Sequence, residues 1–277
     1  MDRIMRKTIA GTLALLLTAA AVLSGCSRKQ KTPAPDTQVN TSPEEGAVVL
    51  EPAIPAVGIG RVMPAVVVKK NRTICIDPGH GFYDNGTGEN SYFPEGVYEK
   101  HVNFAIATYL NQDLIDRGFD TIMTHNGVDR PEYDWDMNEI FNPNERIAFI
   151  NAQEVDYVVS IHVNAAPNPD ACGVRIFYQD NNYKWNDWAQ PAAEAIKEAI
   201  DDTVEITAPT TADDPSTMAN SDFAIPRETH AASSLIEVGF CTNVVDAANL
   251  VNEEWQKSIA NGIAEGIERF FDNLENP

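Results

Sequence analysis

His80, Glu99, His162 and Glu237 are the residues from which this chain could build chemistry. His80 ends the stretch Ile74-Cys75-Ile76-Asp77-Pro78-Gly79-His80. Its three leading residues read as a short buried strand, which Asp77-Pro78-Gly79 stops, because proline cannot donate to a sheet and glycine permits positive φ. His162 follows Val158-Val159-Ser160-Ile161, so both imidazoles lie at the carboxyl ends of apolar strands, where ligands collect in open α/β sheets. Glu99 begins a helical stretch after a glycine-rich loop, Gly81 to Gly96, that leads back to His80. Taken singly, each has an ordinary reading: a histidine hydrogen-bonded in a turn, or a carboxylate favoured at a helix start by the dipole. Facing one cleft, they form a His, Glu, His set of the type that binds catalytic zinc with one position left for water.

Glu237 lies among apolar neighbours in Leu235-Ile236-Glu237-Val238-Gly239-Phe240. A carboxylate there needs a proton, a partner or a task. A cleft position beside a metal-bound water supplies all three, and the structural alternative is a salt bridge to Arg146 or Arg227. Glu95 is a rival to Glu99 that lacks the helix start. His101 and His230 are the remaining nearby imidazoles.

The elements that must position these residues are legible around them. Val102, Ala105, Ile106, Tyr109, Leu110 and Leu114 recur at helical spacing, which predicts a helix over Glu99 to Arg117 stopped by Gly118. Phe119 to Thr124, Tyr157 to Ile161, Val174 to Tyr178 and Ser233 to Val238 read as strands. Helical spacing returns at Glu145 to Gln153, Trp188 to Ile200 and Glu254 to Phe271. Val66 to Lys69 has the composition of an extra edge strand, and the polar stretch Asn126 to Asn144 reads as a surface excursion. Strands alternating with helices predict an α/β fold: a single domain, residues 70 to 275, with a mostly parallel sheet covered by helices on both faces.

Lys+Arg 20 against Asp+Glu 41 gives a formal net charge of -21. That excludes nucleic acid as a partner, since such affinity comes from lysine and arginine neutralising phosphates, and it disfavours docking on anionic lipid through a basic surface. The cysteines at 26, 75, 172 and 241 have no paired spacing of the structural-zinc kind and are expected to be small buried thiols, Cys26 excepted.

Residues 1 to 25 have a basic start (Arg3, Arg6, Lys7), an apolar run and a small-residue end, the pattern of an export signal too short to span a membrane. Leu23-Ser24-Gly25-Cys26 resembles the lipobox of bacterial lipoproteins, which implies cleavage before Cys26 and lipid on its thiol and new amino terminus. Two or three acyl chains anchor stably where one short chain does not. An ordinary signal peptide with an incidental cysteine is the alternative. In residues 26 to 69 proline recurs without period, as in a flexible tether. The expected location is outside the cytoplasm, lipid-anchored to the outer face of the cell membrane, or periplasmic if an outer membrane exists, with membrane contact through the anchor only.

Four patches follow one another in the chain: Ile-Asp-Pro-Gly-His-Gly at 76 to 81, Glu-Lys at 99 to 100, Ser-Ile-His-Val-Asn-Ala at 160 to 165, and Leu-Ile-Glu-Val-Gly-Phe-Cys-Thr-Asn at 235 to 243. Together they closely resemble the zinc-dependent N-acetylmuramoyl-L-alanine amidases over nearly all of residues 72 to 272. The resemblance implies a zinc cofactor held by His80, Glu99 and His162, with Glu237 as the catalytic carboxylate. The substrate it implies is peptidoglycan, cut at the amide between N-acetylmuramic acid and L-alanine of the stem peptide. Substrate-binding residues stay unknown.

Phe82 stands where the family often has a second glycine, His125 where it often has an arginine, and the excursion from Asn126 is longer than usual. These departures bear on substrate fit and regulation. Arg146 matches an arginine the family often has. Relatives can carry a segment that covers the zinc until a partner moves it, and Asn126 to Asn144 or Asn181 to Ser233 has the length for one. The expected assembly is a monomer with an activator protein of unknown identity. The alternatives are a non-catalytic peptidoglycan-binding lipoprotein and a zinc peptidase acting on another amide.

Overall fold

In the computed structural model the chain divides into two units, residues 1–61 and 62–277. The structure describes residues 67, 69–82, 84–87, 91–127, 142–179, 186–204, 217–220 and 223–275, all in the second unit. In chain order these form β1 (Thr73–Pro78), α1 (Glu99–Asp116), β2 (Asp120–Met123), α2 (Pro143–Asn151), β3 (Tyr157–Asn164), β4 (Arg175–Gln179), α3 (Asn186–Thr203), β5 (Thr217–Asn220), α4 (Ala224–Glu228), β6 (Ala232–Phe240), α5 (Val244–Leu250) and α6 (Glu253–Glu275).

The strands make one six-stranded sheet in the order β2-β1-β3-β6-β4-β5. The first four are mutually parallel, while β4 runs antiparallel to β6 and parallel to β5. The reversal follows from the chain between β3 and β4. Parallel neighbours need a crossover of a dozen or more residues, and residues 165–174 hold no helix, so the chain returns in the opposite direction on the far side of β6.

Alternation along the strands divides the apolar residues between two faces. Ile74, Ile76, Val159, Ile161, Ile236 and Val238 join the larger core beneath α1, α3 and α6. Cys75 and Val158 point the other way and pack with Ile147 and Ile150 of α2 and Ile225 of α4. The expected two-faced covering of a mostly parallel sheet is therefore what forms. Cys75, Cys172 and Cys241 are buried, as expected.

Several expectations need correction. Val67 and Lys69 lie in no strand, and Val66 and Val68 fall outside the described residues. β1 continues through Asp77 and Pro78, pairing with Ser160 and Ile161, so Asp77 belongs to the strand instead of ending it. Short β5, α4 and α5 are additional to the expected elements, having too few residues to display a period. Within Asn181 to Ser233, α3 buries Ala189, Ala192, Ile196 and Ile200 in the core, while residues 181–185, 205–216 and 221–222 lie outside the described residues. Residues 128–141, most of the excursion, lie outside the described residues, as do Cys26 and the signal and tether except Val67 and Lys69.

Candidate metal centre

The adjacent parallel strands β1, β3 and β6 align their carboxyl ends along one edge of the sheet, and α1 begins beside them. In this register His162 stands next to Glu237, so the two side chains leave the sheet on the same face. Ser160, two residues earlier in β3 and thus on that face too, is paired with Asp77.

Asp77 forms the floor of the site. It is fully buried and accepts hydrogen bonds from Arg146 Nη1 at 2.9 and 3.1 Å, Ser160 Oγ at 2.7 Å and Thr124 Oγ1 at 2.7 Å. Burial alone would raise its pKa, but the Arg146 charge and the two hydroxyls outweigh it and hold Asp77 below the ordinary carboxylate value. Arg146 is thus committed to Asp77, and Arg227 bridges Glu228 at 2.8 Å, so neither is the partner considered for Glu237.

Above this floor the chain turns tightly. The positive φ expected of Gly79 falls instead on His80 (62°), Gly81 (132°) and Phe82 (48°). Gly79 is required for a different reason: a Cβ there would come within 2.5 Å of Nδ1 in the His162 imidazole. Phe82 adopts, as a bulky residue, the region where glycine is favoured. Its carbonyl accepts from Lys100 Nζ at 2.7 Å, and its ring lies 6.3 Å from that of His125. His125 Nε2 is 2.9 Å from the Pro78 carbonyl, just below the turn.

His80, Glu99 and His162 come together as anticipated. One candidate ligand atom from each lies within 4.8 Å of the others. His80 Nε2 is 3.3 Å and His162 Nδ1 3.1 Å from the same oxygen, Glu99 Oε1, with the rings edge to face at 4.9 Å. Glu99 is the first residue of α1 and buried, and its oxygens also accept from the backbone N–H groups of Val163 (2.9 Å) and Thr87 (2.6 Å). Burial raises its pKa, but the hydrogen bonds from His162 and His80 prevail and hold it well below the usual range. For His80, burial works downward, while the hydrogen bonds and charges of Glu99 and Asp84 push it up to about 9. Two imidazole nitrogens directed at one carboxylate oxygen are an arrangement in which a cation can replace the protons. Mixed nitrogen and oxygen donors suit zinc, whereas calcium and magnesium take oxygen ligands.

Glu237 is 8% exposed, and its Oε2 is buried with no hydrogen-bond partner. Burial and then the Glu99 charge push its pKa up to about 8. The rivals are elsewhere: Glu95 and His230 are exposed, and His101 Nδ1 accepts from the Tyr98 N–H at 3.0 Å at the start of α1.

Two site residues escape a reading of the sequence. Asp84 Oδ2 meets His80 Nδ1 at 2.7 Å, which leaves Nε2 to face the centre. Asn103 sits one helical turn after Glu99 and donates from Nδ2 to the Gly79 carbonyl at 3.0 Å and to Glu99 Oε1 at 3.3 Å. Each is four residues from a ligand candidate, a spacing that brings side chains together on a helix. That spacing is the available signal for Asn103. The end of the fourth patch and the start of α5 have their own structural work: Thr242 accepts from the Ala166 N–H, and Asp246 from those of Gly173 and Phe240, which pins the β3–β4 connection to the chain after β6.

A sheet edge carrying two histidines, a helix-start glutamate and a buried carboxylate with an unpartnered oxygen is an arrangement suited to hydrolysis in an α/β fold. The chain belongs to the N-acetylmuramoyl-L-alanine amidase family, whose profile matches residues 74–269. It is 26% identical over 210 residues to the germination-specific N-acetylmuramoyl-L-alanine amidase of Bacillus subtilis, covering 74% of this chain and 82% of that protein. It is also 28% identical over 203 residues to the uncharacterized protein YqiI of the same organism, covering 73% and 86% respectively. Among solved structures it resembles an N-acetylmuramoyl-L-alanine amidase from Clostridium difficile (26% identity, TM-score 0.61, 74% of this chain and 98% of that one). It likewise resembles the CwlD amidase of Clostridioides difficile, solved in complex with the GerS lipoprotein (25% identity, TM-score 0.61, 73% and 100%). The expected enzyme class is met. Among the described residues no helix is long and apolar enough to cross a membrane.

Proposed function

We propose that residues 70 to 275 are a zinc-dependent catalytic domain that hydrolyses the amide between the lactyl group of N-acetylmuramic acid and L-alanine in peptidoglycan. His80, Glu99 and His162 would hold the ion. When bound, zinc polarises a carbonyl and acidifies water at the site. Glu237 is assigned the proton transfers: its unpartnered Oε2 accepts a proton as the water oxygen adds to the carbonyl carbon, then returns it to the alanine nitrogen as the C–N bond breaks. Asp84 holds His80 in the tautomer that leaves Nε2 without a proton. The observation that carries this reading is the pairing in register of Glu237 with His162, which sets an unsatisfied carboxylate beside the donor set.

In the whole protein, residues 1 to 25 act as an export signal, Cys26 as the lipid-bearing residue and residues 26 to 69 as the tether. The domain then works as a monomer on the outer face of the membrane or in a periplasm. An activator is a reasonable partner, given that one structural relative was solved with a lipoprotein bound.

The test is purified chain on isolated peptidoglycan, with zinc and with a chelator, counting new alanine amines against new reducing sugar ends. Zinc-dependent amines without reducing ends are expected. Sedimentation with the wall and no release, with zinc restored, would rule out a self-sufficient amidase and favour the binding-protein reading over it.

A further inference from the structure

The polar group that touches most of the site without belonging to the donor set is the Asn103 side chain. It is fully buried in α1. Its amide nitrogen reaches Glu99 Oε1, the oxygen on which both imidazoles converge, and the carbonyl of Gly79, the residue immediately before His80. Gly79 in turn is the residue on which the His162 ring rests so closely that no Cβ fits. One amide therefore ties together the segments carrying all three ligand candidates. Its orientation is fixed, because the reversed amide would set its oxygen against two acceptors.

The other half of the same amide argues that this tie is not there for the fold. Asn103 Oδ1 is buried with no hydrogen-bond partner. Stranding an acceptor in the interior is unfavourable, and a fold needing only volume would be served by leucine at this position. We infer that Asn103 is a positioning residue that presets the donor cage: its Nδ2 fixes the Glu99 carboxylate and the Gly79–His80 turn in the binding geometry before the ion arrives. The inference rests on the zinc reading of His80, Glu99 and His162.

The experiment is a chelator-competition titration of the purified full chain with zinc, run beside thermal unfolding of the zinc-free protein. The proteins are wild type, Asn103→Asp, Asn103→Ala and Ile106→Val. Asn103→Asp replaces the donor by an acceptor facing two acceptors, and Asn103→Ala deletes it. Each is expected to weaken zinc binding by at least about tenfold, the usual scale for losing a group that orients a ligand. Ile106→Val trims the same helix inside the core, away from the donors, and is expected to lower the unfolding midpoint while zinc affinity stays that of wild type.

If Asn103→Asp does not fold, Asn103→Ala gives the same reading. Zinc affinity within twofold of wild type in the folded Asn103 variants overturns the inference and leaves the zinc site standing. So does an Ile106→Val loss equal to theirs, since affinity would then only follow stability. A wild-type chain that binds no zinc overturns the zinc reading itself.

Discussion

Two buried carboxylates on one face of the sheet, Asp77 in the floor and Glu237 in the site, meet opposite fates. Asp77 has an arginine and two hydroxyls around it and is held ionised. Glu237 has an oxygen with no partner and a pKa pushed up to about 8. Backbone conformation follows the same division. The strand beneath is regular, and the turn above it places His80 and Phe82 at positive φ. A carboxylate that serves the fold is satisfied, whereas one available for proton transfer is left unsatisfied and must be supported by the packing around it.

The sharpest way to test that division is Glu237→Gln. Turnover is expected to fall by about 10²–10⁴-fold, the scale of general acid–base catalysis, while zinc affinity stays within a few-fold. Amine release and chelator competition measure the two. Full turnover in the glutamine variant would move the proton transfer to another group. Next in size is Asp77→Asn, which strands the Arg146 charge in the interior. Urea unfolding should show a loss of about 3–5 kcal/mol, as for other broken buried pairs. A loss under about 1 kcal/mol would mean that the floor does not hold the site up.

The two carboxylates should also respond to pH with opposite signs. Asp77 is depressed, so its stabilisation is present above the unfolded value near 4 and disappears as pH falls through the lower folded value. Glu237 is raised, so its contribution is intact below its unfolded value near 4 and is lost progressively as pH rises from there through about 8. Each pH unit above the unfolded value, up to the folded one, removes about 1.4 kcal/mol. With chelator present, Glu237→Gln should therefore match wild type near pH 4 and exceed it by on the order of 4 kcal/mol at pH 7. Equal stabilities at pH 7 would contradict the buried, unpaired state of Glu237. Added zinc should shrink the gain, because a cation beside the carboxylate favours its charged form.

This division also explains what can be read from the chain before folding. Long periodic stretches such as Glu99–Asp116 and Glu253–Glu275 declare themselves, and so do residues whose chemistry is unusual for their neighbours, above all Glu237. His80, Glu99 and His162 are legible because strand ends and a helix start are marked locally by Pro, Gly and periodicity. Asp77 reads as a strand stop, because its partners Thr124, Arg146 and Ser160 are 47 to 83 residues away and only the sheet unites them. Asn103 and Asp84 stay hidden because each acts on a neighbour four residues away whose importance is judged alone. The direction of β4 depends on the lack of a helix after β3, a feature visible in the sequence only once β6 is known to lie between them.

The smallest effect concerns Phe82, the bulky residue of the turn held at positive φ. A bulky residue at φ 48° carries strain of about 1–2 kcal/mol, which glycine would relieve. Against that, glycine gains about 0.4–1 kcal/mol of freedom in the unfolded chain, and the ring contact with His125 is lost. The terms nearly cancel, so Phe82→Gly should change stability by less than about 1 kcal/mol by urea unfolding. The strain is then offset by packing on His125, whose Nε2 faces the Pro78 carbonyl just below the turn. A loss of about 2 kcal/mol or more would show that the ring itself holds the turn closed. In that event Phe82 would belong with the satisfied floor, and the boundary between the two regions would lie above the turn.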